Sequence, residues 1–168
     1  MVYYIHKVKG ESKMVFSCID GDLMNELGLR NIRNTPRREY NCGGYALGLF
    51  CWYAPFENVH YYCLKSKRAY RQLESVAINQ MLKEMPDLRL INDDVVRNKE
   101  FDINKYTVIA FRLSREDFHY YRLGKNWQWY DKRGGTAKIY NHSYNEVWEN
   151  WGSRGQYDGK IYFFLKAR

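Results

Sequence analysis

The spacing of apolar residues changes about halfway along the chain. Over residues 66–85 apolar side chains recur three and four positions apart, which predicts an amphipathic helix that Pro86 ends. Beyond Pro86 the apolar residues fall in short runs typical of β-strands. A helix-rich first half followed by such strands predicts an α+β fold in which helices pack on an antiparallel sheet. The predicted strands are Leu88–Ile91, Tyr106–Leu113, Phe118–Leu123, residues 127–131 and residues 161–165.

The N-terminal part of the chain carries weaker signals. Residues 2–8 and 14–19 have strand character, and the polar residues between them predict a hairpin turn. Asp20 is a favoured helix-capping residue, so a short helix is predicted over residues 22–27. The arginine-rich segment 28–39 that follows is interpreted as a loop.

A buried helix is predicted at the apolar run that starts at Cys42. The residues before it are polar, and the run continues to Tyr53 and stops at Pro55. Asn41 is a favoured N-cap residue, because its side chain can accept a hydrogen bond from an amide of the first turn. The predicted helix therefore begins with Cys42 in its first turn, although the glycines of the run lower its helical propensity.

Composition excludes several classes of protein. The chain has 168 residues, 45% hydrophobic and 17% aromatic, which suits one folded domain over residues 1–168 and excludes a disordered chain. No repeat or flexible linker suggests a second domain. No apolar run approaches the roughly 18 residues of a membrane span, and the N-terminus lacks a secretory signal. We therefore expect a protein that does not contact membranes and works in the cytoplasm.

An excess of basic residues favours acidic partners. Lysine and arginine number 27 against 19 aspartates and glutamates, a net charge of +8, with clusters at residues 30–38, 65–71 and 132–133. A binding protein that grips nucleic acid or a host protein is therefore the alternative to an enzyme. Aromatic pairs beside basic residues would suit base stacking, but they also suit an aromatic core, which is the preferred interpretation. The pairs are Tyr3-Tyr4, Tyr61-Tyr62 and Tyr120-Tyr121.

The four cysteines are expected to be free thiols, because they form no CxxC pair and lack the dense spacing of a disulfide-linked module. An imidazole and a thiolate three positions apart can share a zinc ion, as His60 and Cys63 could with Cys51, but a fourth ligand is missing. Residues 20–22 resemble part of a calcium loop without its bidentate glutamate. We expect no metal and no organic cofactor.

Cys42 is the candidate nucleophile. Unpaired amides and the helix dipole at a helix N-terminus favour a thiolate there. Gly43 and Gly44 follow, so another backbone or a substrate carbonyl can approach closely. The Cys42 amide is a candidate oxyanion donor, and its neighbours Tyr40, Asn41 and Gly43 are further candidates for the oxyanion or substrate site. The alternative interpretation of Cys42 is a buried structural cysteine.

His119 is the candidate base, because it alone of the four histidines lies in a predicted strand that a second strand follows at once. If residues 124–126 form a three-residue loop, His119 pairs with Asp131 on one sheet face. Paired residues have Cβ atoms about 5 Å apart, so the carboxylate could hold the imidazole in one tautomer. A two-residue loop would instead place them on opposite faces. The alternative is a half-buried sheet histidine and a solvated aspartate.

Three short blocks carry a family resemblance. Residues 41–47 (NCGGYAL), 117–122 (DFHYYR) and 129–134 (WYDKRG) are similar to blocks that read NCxxYAL, DxHWYR and WxHKxG in some bacterial and phage proteins. With the order cysteine, histidine, polar residue, the chain resembles the papain-like cysteine hydrolase superfamily, especially its NlpC/P60 and CHAP branch. Asp131 stands where those blocks have a histidine.

The resemblance implies both a fold and an activity. The implied fold packs N-terminal helices on an antiparallel sheet. The implied roles are nucleophile for Cys42, base for His119 and orienting residue for Asp131, with Asn141 and His142 as alternatives for the last. The reaction would be acyl transfer from an amide or ester to the thiolate and then to water. The implied substrate is a protein or peptide, including the stem peptide of peptidoglycan. If a phage encodes the protein, the expected location is the cytoplasm of the host.

Overall fold

The described part of the chain has an α+β arrangement with one long helix, several short ones, a six-stranded sheet and a two-stranded sheet. The computed structural model describes residues 6–8, 11–13, 40–49, 53–55, 67–113, 117–133, 138–149, 151–152 and 157–168. None of the helices in these ranges is long and apolar enough to cross a membrane. The elements are β1 (His6–Val8), β2 (Glu11–Lys13), α1 (Cys42–Leu47), α2 (Lys67–Glu84), β3 (Leu88–Ile91), α3 (Asp93–Arg97), β4 (Tyr106–Leu113), β5 (Phe118–Leu123), β6 (Trp129–Lys132), β7 (Ile139–His142), a 3₁₀ helix (Tyr144–Trp148) and β8 (Ile161–Ala167).

Six antiparallel strands form the sheet, in the order β3-β8-β4-β5-β6-β7. Strand β4 pairs with β5 on one side and with β8 on the other. Strands β4 to β6 are buried almost throughout, because both faces of the sheet are covered. The predicted α+β class and antiparallel sheet are confirmed, and β3, β4 and β5 lie at their predicted positions.

One face of the sheet packs against α1 and α2. Helix α2 confirms the helix predicted over residues 66–85. Its inward residues Leu73, Ala77 and Met81 lie four positions apart and are buried, as expected for an amphipathic helix. They belong to one apolar cluster with residues of β4 and β5 such as Phe111. The spacing of apolar residues therefore predicted both this helix and the face that it buries.

The other face is covered by elements that the apolar pattern did not predict. Val96 of α3, Val147 of the 3₁₀ helix and Trp151 are fully buried in a second apolar cluster there. Ser143 and Glu146 form a capping box at the start of the 3₁₀ helix. This S-x-x-E spacing is the sequence signal that could have located the element.

A hairpin is present near the N-terminus, but its second strand is Glu11–Lys13, so the prediction that residues 11 and 12 belong to the turn is wrong. Strands β1 and β2 pair antiparallel in a separate two-stranded sheet, with Val8 opposite Glu11. This pairing leaves only residues 9 and 10 for the turn, the commonest hairpin length, so β2 starts inside the stretch expected to be turn. Outside the described residues lie the predicted strand 14–19, helix 22–27 and loop 28–39.

Candidate active site

Helix α1 begins at Cys42, as predicted, because Asn41 caps it. The Asn41 side-chain oxygen accepts hydrogen bonds from the amides of Gly44 and Tyr53, each at 3.0 Å. Its nitrogen donates to the Tyr53 carbonyl at 2.8 Å. Cys42 therefore takes the first helical position, where the helix itself gives the amides of Cys42 and Gly43 no partner.

Helix α1 is shorter than predicted. It ends at Leu47, whereas the apolar run predicted a helix as far as Tyr53. Gly48 adopts φ 70° and ψ 34°, the left-handed conformation that ends helices, and the Leu49 amide bonds back to the Gly44 carbonyl at 2.7 Å. The apolar run is thus a buried helical turn followed by buried non-helical chain.

The missing side chain of Gly43 makes room for the protein itself. A Cβ at this position would lie 2.7 Å from the Tyr53 carbonyl oxygen and 3.2 Å from the Tyr120 ring. The sequence predicted that a backbone or a substrate carbonyl would approach here, and the approaching group is the Tyr53 backbone. Gly43 therefore lets α1 pack closely against the Tyr53 backbone and the Tyr120 ring of β5.

Strands β5 and β6 pair in a different register from the predicted one. Tyr121, rather than His119, lies opposite Asp131, a shift of two residues. Residues 124–128 connect the strands, and Trp127 adopts φ 60° within this turn. Because the shift is even, His119 and Asp131 still share one face, as predicted. Asp131 is therefore a diagonal neighbour of His119 rather than its direct partner.

Three side chains from β5, β6 and β7 form a hydrogen-bonded row. His119 Nε2 lies 2.8 Å from Asp131 Oδ2, and His142 Nε2 lies 2.6 Å from Asp131 Oδ1. An ionised carboxylate only accepts hydrogen bonds, so each imidazole donates from Nε2. His119 Nδ1 is thereby left for Cys42. His119 is 4% exposed and Asp131 is 1% exposed, so these two members are shielded from water, whereas the His142 side chain is 18% exposed.

Cys42 reaches this row where β5 and β6 separate. Their described ladder ends at the pair of Tyr121 and Asp131, and Phe118 lies beyond it on β5. The Phe118 carbonyl accepts a weak hydrogen bond from the Cys42 thiol, with the sulfur 3.9 Å away. Hydrogen bonding and charge at Cys42 both raise the pKa of His119, which requires the two side chains to be close.

The row changes the protonation of its members. Burial lowers the pKa of His119, but hydrogen bonds to Asp131 and to Cys42 raise it by more, from the usual 6.5 to about 9. Burial raises the pKa of Asp131, but hydrogen bonds from His119 and His142 outweigh it and hold the pKa below its usual value. His119 is therefore protonated and Asp131 ionised at neutral pH.

Aromatic rings enclose His119. Tyr157 stacks on the imidazole with ring centroids 5.0 Å apart. Trp151 and Tyr121 meet the imidazole edge-on, with centroids 6.2 and 5.5 Å away. The Tyr157 hydroxyl donates to Asp117 at 3.1 Å. Trp151 and Tyr157 come from a distant part of the chain, so no local sequence signal marked them as neighbours of the site.

Two predicted site residues lie away from this row. The Tyr40 ring lies under the Lys132 ammonium, 5.1 Å from the ring centroid. Successive residues of a strand alternate in direction, so Lys132 and Tyr40 are on the face of β6 opposite Asp131. Asn141 alternates in the same way with His142, and it is exposed. Of the two alternatives for the orienting role, the structure brings His142 to Asp131 and leaves Asn141 outside.

The other candidate sites receive little support. Tyr120 and Tyr121 are 0% and 4% exposed, so this pair belongs to the core and offers no surface for base stacking. Within the described ranges, no group of three or more histidines, cysteines and acidic residues is arranged to hold a metal ion. Outside the described residues lie Tyr3, Tyr4, Cys51, His60, Tyr61, Tyr62, Cys63 and residues 20–22.

No protein-family model, curated protein or solved structure matches this chain. The resemblance of the short blocks around Cys42, His119 and Asp131 stays a hypothesis. The chemistry of the site therefore has to be argued from its own residues and their geometry.

Proposed function

We propose that this chain is a papain-like cysteine hydrolase in which Cys42 is the nucleophile. In this proposal His119 exchanges protons with Cys42, and Asp131 orients His119. One observation supports it most: these side chains come from three elements, and they meet in one buried cluster with His119 Nε2 2.8 Å from Asp131 Oδ2. Burying ionisable groups costs free energy. Buried groups whose pKa values are shifted by specific charged partners therefore mark candidate functional sites.

The proposed resting state places the Cys42 proton on His119. The pKa of His119 is raised to about 9, so the imidazole holds a proton at neutral pH. The ionised Asp131 carboxylate accepts from Nε2 and balances the positive charge. In this state the Cys42 sulfur no longer donates to the Phe118 carbonyl, and it accepts a hydrogen bond from Nδ1 of His119 instead. The N-terminus of α1 favours a thiolate at this position.

The proposed reaction proceeds in two halves. The Cys42 sulfur bonds to the substrate carbonyl carbon, and the carbonyl oxygen takes the negative charge. As that intermediate collapses, the carbon–nitrogen bond breaks and His119 Nδ1 gives its proton to the departing amine. Water then gives a proton to Nδ1 and its oxygen to the thioester carbon, which releases the acid and restores the thiolate.

The oxyanion is proposed to accept hydrogen bonds from the backbone amides of Cys42 and Gly43. Both amides belong to the first turn of α1, where the helix supplies no acceptor for them. The Asn41 side chain serves this site indirectly, because it caps the helix and is bonded to Tyr53. A rigid cap keeps the donors in place before the substrate arrives.

We propose an extended peptide as the substrate. Cys42 is only 4% exposed, and its carbonyl target has to come within bonding distance of the sulfur. A slim, extended chain reaches such a thiol with less displacement of its surroundings than a folded loop does. Hydrolysis assays with extended protein-derived peptides and with a peptidoglycan stem peptide distinguish the two substrate classes.

Alkylation of the cysteines by iodoacetamide tests the proposal without a known substrate. The rate at each cysteine is measured against pH by peptide mass spectrometry in the wild type, in His119→Ala and in the control Arg89→Ala. Arg89 is exposed on β3, the edge strand that β8 and β4 separate from β5, so its loss should leave the site intact. We expect Cys42 to react fastest below neutral pH, to lose that advantage in His119→Ala and to keep it in the control.

The same experiment decides against the proposal if Cys42 reacts no faster than Cys18, Cys51 and Cys63. In that case the binding function suggested by the net charge of +8 becomes the better hypothesis. Its signature is an affinity for nucleic acid that falls steeply with salt and does not change in Cys42→Ala.

A further inference from the structure

Asp131 is held by two histidines rather than one. Each carboxylate oxygen accepts one hydrogen bond, Oδ2 from His119 at 2.8 Å and Oδ1 from His142 at 2.6 Å. Two bonds to opposite oxygens fix the rotation of the carboxylate plane, whereas one bond leaves it free to turn. The orientation of Asp131 toward His119 therefore depends on a residue outside the proposed trio.

His142 is itself held in place by stacking. Its ring lies on Tyr121 with centroids 4.8 Å apart and planes 12° apart. Tyr121 in turn stacks on Trp151 at 4.1 Å and 2°, and the Trp151 ring meets the edge of His119. The rings thus link both histidines into one frame around Asp131, and this frame restricts their movement.

We propose that His142 is a positioning residue, which holds Asp131 so that its Oδ2 stays directed at His119 Nε2. The inference rests on the proposed function, because it extends the row from Cys42 through His119 and Asp131 to His142. His142 does not touch the reacting atoms. It acts through Asp131 on the protonation of His119.

The charged and titratable groups around His142 come from three elements. Asp131 of β6 hydrogen-bonds to it, Tyr121 of β5 stacks on it, and Glu146 of the 3₁₀ helix is near enough to interact with it electrostatically. Arg133 adds a positive charge, with Nε 3.9 Å from Asp131 Oδ2, but its side chain is 47% exposed. Among the described contacts, His142 is the donor to Asp131 Oδ1, and its side chain is 18% exposed.

A positioning role and simple charge sharing predict opposite results when the donor is removed. If His142 only stabilised the negative charge of Asp131, its loss would make the carboxylate more basic, and the more basic carboxylate would raise the pKa of His119. If His142 orients the carboxylate, its loss weakens the bond to His119 and lowers the pKa of His119. The sign of the change in the His119 pKa therefore distinguishes a positioning role from charge stabilisation.

Two variants separate the donor from the ring. His142→Gln keeps a side-chain N–H donor without the ring, and His142→Phe keeps a stacking ring without the donor. The titration midpoint of His119 is followed by NMR of the ring nitrogens, with Cys42 alkylation in parallel. We expect His142→Phe to lower the midpoint by about one pKa unit and slow Cys42 alkylation below neutral pH about tenfold. His142→Gln should restore both.

The outcomes distinguish this inference from the proposed function. An unchanged or raised His119 midpoint in a folded His142→Phe protein overturns the positioning role, and His119→Ala still tests the hydrolase separately. If His119→Ala leaves Cys42 alkylation unchanged, the proposed function fails, and the NMR midpoints alone decide whether His142 positions Asp131. Thermal unfolding checks each variant, and His142→Leu replaces His142→Phe if the larger ring prevents folding.

Discussion

Replacing Asp131 by asparagine should abolish the raised pKa of His119. The carboxylate is 1% exposed and accepts a hydrogen bond on each oxygen. An amide of the same shape has one accepting oxygen and one donating nitrogen. In Asp131→Asn, either His119 or His142 therefore faces a donor instead of an acceptor, and the negative charge beside the imidazole is gone.

The magnitude follows from the pKa of His119. Raising it from 6.5 to about 9 corresponds to about 3 kcal/mol, at about 1.4 kcal/mol per pKa unit. Without Asp131, burial is opposed by Cys42 alone, so we expect the pKa of His119 to fall toward 6.5. A loss of up to about 3 kcal/mol corresponds to an up to roughly hundredfold lower ratio of the thiolate–imidazolium pair to the uncharged pair, which lowers the population of the ion pair.

Alkylation of Cys42 below neutral pH measures that population, and NMR of the His119 ring gives its titration midpoint directly. Asp94→Asn is the matched control, because it makes the same chemical change at an exposed position of α3. We expect the control to behave as wild type. A His119 midpoint that stays near 9 in a folded Asp131→Asn protein would refute the role of Asp131.

Three further predictions concern stability. Gly43→Ala should lower the free energy of unfolding in urea by about 1–3 kcal/mol, because its Cβ would lie 2.7 Å from the Tyr53 carbonyl; an unchanged midpoint would contradict this packing. Asn41→Ala should cost about 1 kcal/mol or more through the lost helix cap, and it should also slow Cys42 alkylation. The raised pKa of His119 should stabilise the protein fully below pH 6.5, and this contribution should disappear as pH rises toward about 9. His119→Gln should remove that pH dependence from thermal unfolding curves, and a wild-type slope retained in the variant would exclude His119 as its source.

Much of the fold could be predicted because its longest elements follow a clear period. Helix α2 repeats its apolar residues over 18 residues, and β4 is apolar along most of its eight. The short elements could not be predicted in this way. Strand β7 has four residues, none of them fully buried, so its pattern resembles that of a loop. Its existence depends on pairing with β6, which is a tertiary contact.

The site was predictable in its parity but not in its details. His119 and Asp131 share a face in any register that differs by an even number of residues, so the expectation survived a wrong loop length. The loop length itself depended on a turn with Trp127 at φ 60°, a conformation that a tryptophan rarely adopts and that no local rule predicts. From the sequence, His142 is only an alternative to Asp131 for the orienting role. In the structure the two residues are hydrogen-bonded to each other.

The position of β8 has a consequence for how the chain folds. β8 is the last described strand, and it inserts between β3 and β4, so that Ala167 lies opposite Tyr106. Contacts between residues so distant in sequence form slowly, because a long loop has to close first. Strand β4, which supports β5, therefore has an open edge until β8 has been synthesised. If the proposed function is right, Cys42 should remain an ordinary thiol in the growing chain until β8 has closed this edge.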